Sequence, residues 1–187
     1  MGWRNFMKKA FLLVIMSILI LPVNFASNTG LEIEMPEEIT AGEVFNIEVN
    51  VKNNVEVCGF ECELKIPLEE QDNFEIINVT ENSEISEKAG QFYEIKTTKS
   101  GVLNRFTVFD EPVNEDFHAF TVQLKALNSG DNTLTFVSEC ADTDGNAIPV
   151  DTVEKELTVL VNPELENNNN NSLLDIIKSI LNFFFGG

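Results

Sequence analysis

Val57-Cys58-Gly59-Phe60-Glu61-Cys62-Glu63-Leu64-Lys65-Ile66-Pro67 is the stretch that decides the fold. Phe60, Cys62, Leu64 and Ile66 alternate with Glu61, Glu63 and Lys65, the period-2 signature of a strand with one buried and one wet face. Gly59 stands at the strand's entry, and Pro67 ends it by removing a ladder donor. The runs on either side behave in the same way. Upstream, LEIEMP sets Leu31, Ile33 and Met35 against Glu32 and Glu34. VFNIEVNVK sets Phe45, Ile47, Val49 and Val51 against Asn46, Glu48 and Asn50. Thr40-Ala41-Gly42 and Asn53-Asn54 read as turns. Downstream come β-rich runs at 74–80, 92–96, 103–109, 117–127, 133–140 and 156–161, with no convincing helix between 31 and 162. About nine strands punctuated by Gly, Asn and Asp predict an all-β fold, an antiparallel sandwich of jelly-roll type rather than α/β.

Several of these runs, in this order, resemble the cohesin domain. Gly59-Phe60, followed by three residues, an apolar residue and a Pro-ended turn, is similar to that family's third strand. VLNRFTVFDE (102–111) is similar to its sixth, which ends in an acidic residue. Leu134 through ECADTDGNAIPV (139–150) is similar to its eighth strand with the following Asp/Gly/Asn turn. The resemblance spans most of residues 28–162. Cohesins are secreted β-sandwich binding modules, related in fold to some carbohydrate-binding modules. It implies a non-catalytic, extracellular module for protein binding or surface assembly. The partner-recognition face would comprise the strands around 57–67, 92–96, 103–109 and 133–140. Its outward residues would include Glu61, Glu63, Lys65, Arg105, Thr107, Thr135, Val137 and Glu139. In the family the partner is a small calcium-loaded helical module, the dockerin. No dockerin-like calcium repeat occurs in this chain, so such a partner would be another protein. For any single one of these residues, a plainly solvated position is the competing reading.

Composition limits the alternatives. The chain has 187 residues, with 31 Asp and Glu against 12 Lys and Arg, a formal net charge of −19. Such a surface repels nucleic acid and anionic lipid and attracts cations or basic partners. One His leaves no His pair for a metal, and a Ser–His–Asp arrangement would need His118 as its base. His118 shares parity with Phe120, Val122 and Leu124, which reads as strand entry rather than catalysis. Asp142, Asp144 and Asn146 set oxygen donors at alternate positions, as a calcium loop requires, so calcium is the one cofactor to consider. The Gly comes too early for an EF-hand, no Glu stands at loop position 12, and the same residues serve as ordinary turn formers. Carbohydrate binding is the alternative function. Trp3 is the sole Trp, Tyr93 the sole Tyr, and most Phe residues sit at core parity, so few rings remain to stack on sugars.

The two ends differ from the sandwich. Arg4, Lys8 and Lys9 precede an apolar run from Ala10 to Val23 and then Ala26-Ser27, the layout of a secretory signal peptide over residues 1–27. Export makes the triplets Asn78-Val79-Thr80 and Asn170-Asn171-Ser172 usable as glycosylation acceptors. It also places the cysteines where disulfides persist. Cys58 and Cys62, on one strand, stand roughly 13 Å apart and cannot bridge. The cohesin arrangement, with strands three and eight as antiparallel neighbours, implies a Cys58–Cys140 disulfide and leaves Cys62 a buried free thiol. At the other end an Asn-rich spacer (163–171) leads to SLLDIIKSILNFFFGG (172–187). Ser172 and Asp175 resemble a capping box, and Asp175, Lys178, Ser179 and Asn182 form one polar stripe. Leu173, Leu174, Ile177, Ile180, Leu181 and Phe184 lie off it. A helix of this length reaches only about 20 Å, short of the roughly 30 Å of a bilayer core. It is predicted to dock on a membrane surface, on a partner or second copy, or on its own sandwich.

Overall fold

The computed structural model of the chain describes residues 29–164. The predicted signal segment, most of the spacer and the predicted C-terminal helix, with Leu173, Leu174, Ile177, Ile180, Leu181 and Phe184, lie outside the described residues. Eleven strands run in the order β1 Gly30–Glu34, β2 Glu38–Thr40, β3 Val44–Lys52, β4 Gly59–Lys65, β5 Phe74–Glu81, β6 Tyr93–Thr98, β7 Gly101–Thr107, β8 Phe117–Ala126, β9 Gly130–Ala141, β10 Ala147–Ile148 and β11 Val153–Leu160. They form two sheets packed face to face. The smaller has the order β1-β3-β8-β5. The larger runs β2-β11-β9-β4-β7-β6, with β10 also paired to β9. The quoted stretch is therefore a central strand, held between β9 and β7 on antiparallel ladders.

The alternation read from sequence becomes the core. Ile47, Val49, Val51, Phe120, Val122 and Leu124 of the smaller sheet are buried, as are Cys62, Leu64, Val102, Leu134 and Phe136 of the larger. Phe60, Phe106 and Phe117 close one end as an aromatic cluster, with ring centroids 5.4, 5.5 and 5.8 Å apart. Each side chain of this size stabilises the fold by about 1.5–3 kcal/mol on burial.

Four features depart from the sequence reading. Two further strands, β2 and β10, are too short to show a period, and β2 pairs parallel to β11 in an otherwise antiparallel fold. Residues Ser83–Ala89 form a short helix, α1, between β5 and β6. The Asn82 side chain caps it by accepting from the Glu84 and Ile85 amides, and Gly90 at φ 53° ends it. Ile85 and Ala89, one turn apart, are its buried contacts. The third departure is His118. A bulge places Val49 opposite Phe120 but Asn50 opposite His118, so Ala119 is the extra residue and parity reverses. His118 consequently faces outward, 3.0 Å from Asn50 Oδ1 and 3.1 Å from Thr121 Oγ1.

The fourth is the cysteine pairing. Cys58, Cys62 and Cys140 are all free thiols. β4 and β9 are antiparallel neighbours, but the register sets Phe60, not Cys58, opposite Cys140. Cys58 lies past the end of the ladder, its amide donating to the Ala141 carbonyl at 2.9 Å. A disulfide needs near-direct opposition, which this register denies to Cys58 and Cys140. Cys62 is fully buried and free.

Candidate partner-binding face

The outward face of the larger sheet collects residues from β9, β4, β7 and β6 in straight cross-strand rows. One row reads Glu139–Glu61–Arg105–Glu94 and the next Val137–Glu63–Leu103–Lys96. A third carries Thr135 and Lys65, with Glu154 of β11 beyond. On the other side of the first row lie Ala147, Ala141, Gly59 and Thr107. All eight residues assigned to a partner face from sequence, Glu61, Glu63, Lys65, Arg105, Thr107, Thr135, Val137 and Glu139, thus stand on one surface.

Arg105 is the cation at the centre of this surface. Its guanidinium holds Glu94, with Nε 2.6 Å from Oε2, and reaches Glu61 at 4.0 Å. Lys65 pairs with Glu63 along its own strand at 3.2 Å. Among the described residues no cation pairs with Glu139, so this part of the face carries unneutralised negative charge next to the apolar side chains of Val137 and Leu103.

At the Gly59 end the face sinks into a hollow of about 850 Å³. Gly59, Ala141 and Ala147 give it a low floor, and the Ala147–Val150 segment flanks it on one side. On the other side Phe92 rises and meets Phe109, ring centroids 5.0 Å apart at 77°. Phe92 is 49% exposed and Phe109 68% exposed. Reading most Phe residues as core missed this pair. The signal was present for Phe109, which continues the outward parity of Arg105 and Thr107. Phe92 likewise alternates against the inward Tyr93.

Beneath the face, the buried Asn104 donates to the Tyr93 hydroxyl at 2.9 Å. In register, Cys62 lies between Asn104 on β7 and Ser138 on β9. Burial pushes the Cys62 thiol up to about 12 and the Cys140 thiol up to about 11.

The 142–146 segment is a self-contained turn. Asp142 Oδ1 accepts from the Asp144 amide at 2.9 Å and the Asn146 amide at 2.8 Å, and the Asn146 side-chain amide lies 3.1 Å from Oδ2. These donors, Asn146 foremost, hold the Asp142 carboxyl below the ordinary carboxylate range. The Asp142 carboxylate therefore caps the turn, and Asp144 and Asn146 contribute amides to it rather than converging oxygens. Among the described residues no three His, Cys, Asp or Glu side chains are grouped to hold a metal ion.

No protein-family model matches the chain, and no curated protein matches it in sequence. Solved structures do match in fold. A cohesin module from a Clostridium perfringens family 33 glycoside hydrolase superposes with a TM-score of 0.59 at 16% identity, covering 73% of this chain and 99% of that module. A non-cellulosomal cohesin from Archaeoglobus fulgidus gives 0.55 at 17% identity, covering 74% and 97%. CaCohA2, in its complex with CaDoc0917, gives 0.59 at 15% identity over 71% and 99%. The two-sheet architecture, the central place of β4 and these likenesses agree: the chain has the fold of a cohesin domain.

Proposed function

We propose that this chain is an exported, non-catalytic binding module that docks a protein partner on the outward face of β9-β4-β7-β6. The observation that carries this reading is the convergence on that face of paired charges, unneutralised carboxylates and the partly buried apolar side chains Val137 and Leu103. Such a mixture of apolar anchors and a polar rim is how protein-recognition surfaces are built. The fold likeness supports it, since CaCohA2 was crystallised with a dockerin. A dockerin is accordingly the partner class to test first.

The second reading is polysaccharide binding, favoured by the exposed Phe92 and Phe109 rings. Their edge-to-face contact, 77° between planes, opposes it, because the pair offers no flat joint platform for a sugar chain. The test is titration calorimetry of the exported chain, without its signal segment, against a panel of purified dockerins. At least one should bind, and the E63R/V137R double variant should weaken it tenfold or more without altering the thermal midpoint. Equal binding by that variant removes the face assignment. Binding to no dockerin, with retention on insoluble polysaccharide, replaces the reading with the carbohydrate one.

A further inference from the structure

The triplet Asn78-Val79-Thr80 lies in β5, and a bulge decides which way it faces. Phe74 and Ile76 point inward opposite the buried Ala126 and Leu124. Unbroken alternation would send Asn78 and Thr80 after them into the core. The register instead skips Ile77, so that Asn78 stands opposite Gln123 and Thr80 opposite Thr121, while Val79 faces the buried Val122. One extra residue thus turns Asn78 and Thr80 outward together on the smaller sheet, and both are exposed. Asn78 Nδ2 comes to 3.4 Å from Thr80 Oγ1. Its neighbour Gln123 turns its own amide the other way, donating to Asn46 Oδ1 at 3.2 Å. β5 is also the edge of its sheet, paired with β8 on one side, so its outer flank is open to an enzyme. Among the strand asparagines of the described residues, Asn78 alone combines exposure with a hydroxyl two residues on. Asn104 and Asn132 are buried. Asn46 and Asn50 are followed at that position by Glu48 and Lys52.

We infer that Asn78 is an N-glycosylation site, an inference that rests on reading the chain as exported and not on its partner. A saccharide needs an exposed Asn amide with a hydroxyl at the second position after it, and the bulge supplies both. The donor is a lipid-phosphate-linked oligosaccharide, and the catalyst a membrane oligosaccharyltransferase. The bond between the sugar C1 and the phosphate oxygen breaks, and the bond from C1 to Asn78 Nδ2 forms. Nδ2 gives up one proton to the enzyme's base, and the lipid phosphate leaves with the electron pair. A saccharide at this place shields an eight-residue edge strand from pairing with other chains. It stands on the sheet opposite the β9-β4-β7-β6 face and leaves that face clear.

The experiment is peptide mass mapping of the full chain, recovered from the cells that make it and from their medium. The tryptic peptide Ile66–Lys88 should be heavier by a saccharide, and fragmentation should place it on Asn78. Thr80→Ala, a change at an exposed position, should lower that occupancy at least tenfold, and Thr80→Ser should keep it, because Ser retains the hydroxyl. The location of the chain reports export separately. A chain beyond the cytoplasmic membrane with a bare Ile66–Lys88 peptide overturns the glycosylation site and leaves export intact. A chain retained in the cytoplasm overturns both. A saccharide on Asn73, on Asn82 or on a hydroxyl of that peptide, or on Asn170 alone, overturns the assignment to Asn78. Unchanged occupancy in Thr80→Ala overturns the part given to the Thr80 hydroxyl.

Discussion

Cys62 shows how far a single residue can be read. Strand parity puts it in the core, the cohesin arrangement leaves it a free thiol, and it is both. Parity could not say which residue stands opposite Cys140, because register depends on turns and bulges along the whole ladder. The fold puts Phe60 there. The three thiols now differ in a measurable way. Loss of hydration is the main cause that raises all three, and it is strongest for Cys62, at about 12, against an ordinary value of 9.0. The thiolate is the nucleophile, so Cys62 and Cys140 should be inert in the native state. At pH 8, iodoacetamide should label Cys58 alone, and all three should react once guanidinium unfolds the chain. A native mass two hydrogens lighter, with two thiols silent after unfolding, would restore a disulfide. Linkage gives a second readout. A raised native value favours the neutral thiol, so this stabilisation is complete below 9.0. It fades between 9.0 and about 12 as the unfolded chain loses protons first. Denaturation midpoints should therefore fall over that window, and fall less in C62A.

Among the elements, long strands were legible and short ones were not. Nine residues of β3 alternate without a break, whereas three in β2 and two in β10 carry no period. Their pairing comes from neighbours already in place. The helix α1 left a different trace, an Asn82 cap and a Gly90 stop around seven residues. Its few apolar positions were too sparse to stand out in a β-rich chain. The hollow at the Gly59 end was least legible of all, because Ala147, Ala141, Gly59 and Phe92 come from distant segments that only strand order brings together. The hairpin from β6 to β7 depends on Gly101. Its φ is 145°, and an added Cβ would lie 1.7 Å from the Leu64 carbonyl oxygen. No rotamer relieves a clash with backbone, so β7 would have to part from β4 at its first pair, Lys65 with Gly101. G101A should cost about 3 kcal/mol or more in denaturant unfolding, a strained-backbone effect added to a lost ladder. G30A, with nothing within 4 Å, should stay within about 1 kcal/mol. Equal midpoints for the two would mean the hairpin reaches β4 differently.

For the whole molecule the deciding quantity is the charge, 31 acids against 12 bases. Salt acts on it in two opposing ways. Screening weakens the ion pairs, which would destabilise, and weakens self-repulsion, which would stabilise. The pairs among the described residues join exposed side chains, such as Lys52 with Glu32 and Asp116, or Lys88 with Glu84. Exposed pairs contribute little to stability. The repulsion involves every carboxylate left over, and at about 0.01 M salt it reaches roughly 30 Å, across much of the domain. Repulsion should therefore dominate, and the thermal midpoint should rise as sodium chloride goes from about 0.01 to 0.5 M. Binding of a cationic partner should change in the opposite direction. Its encounter is steered by the same field, so the association rate should fall steeply over that range while the fold grows more stable. The two measurements on one sample separate the effects. A midpoint that falls with salt would show that the surface pairs outweigh the excess charge. An association rate indifferent to salt would show that the partner does not approach the Glu139–Glu61–Glu94 row.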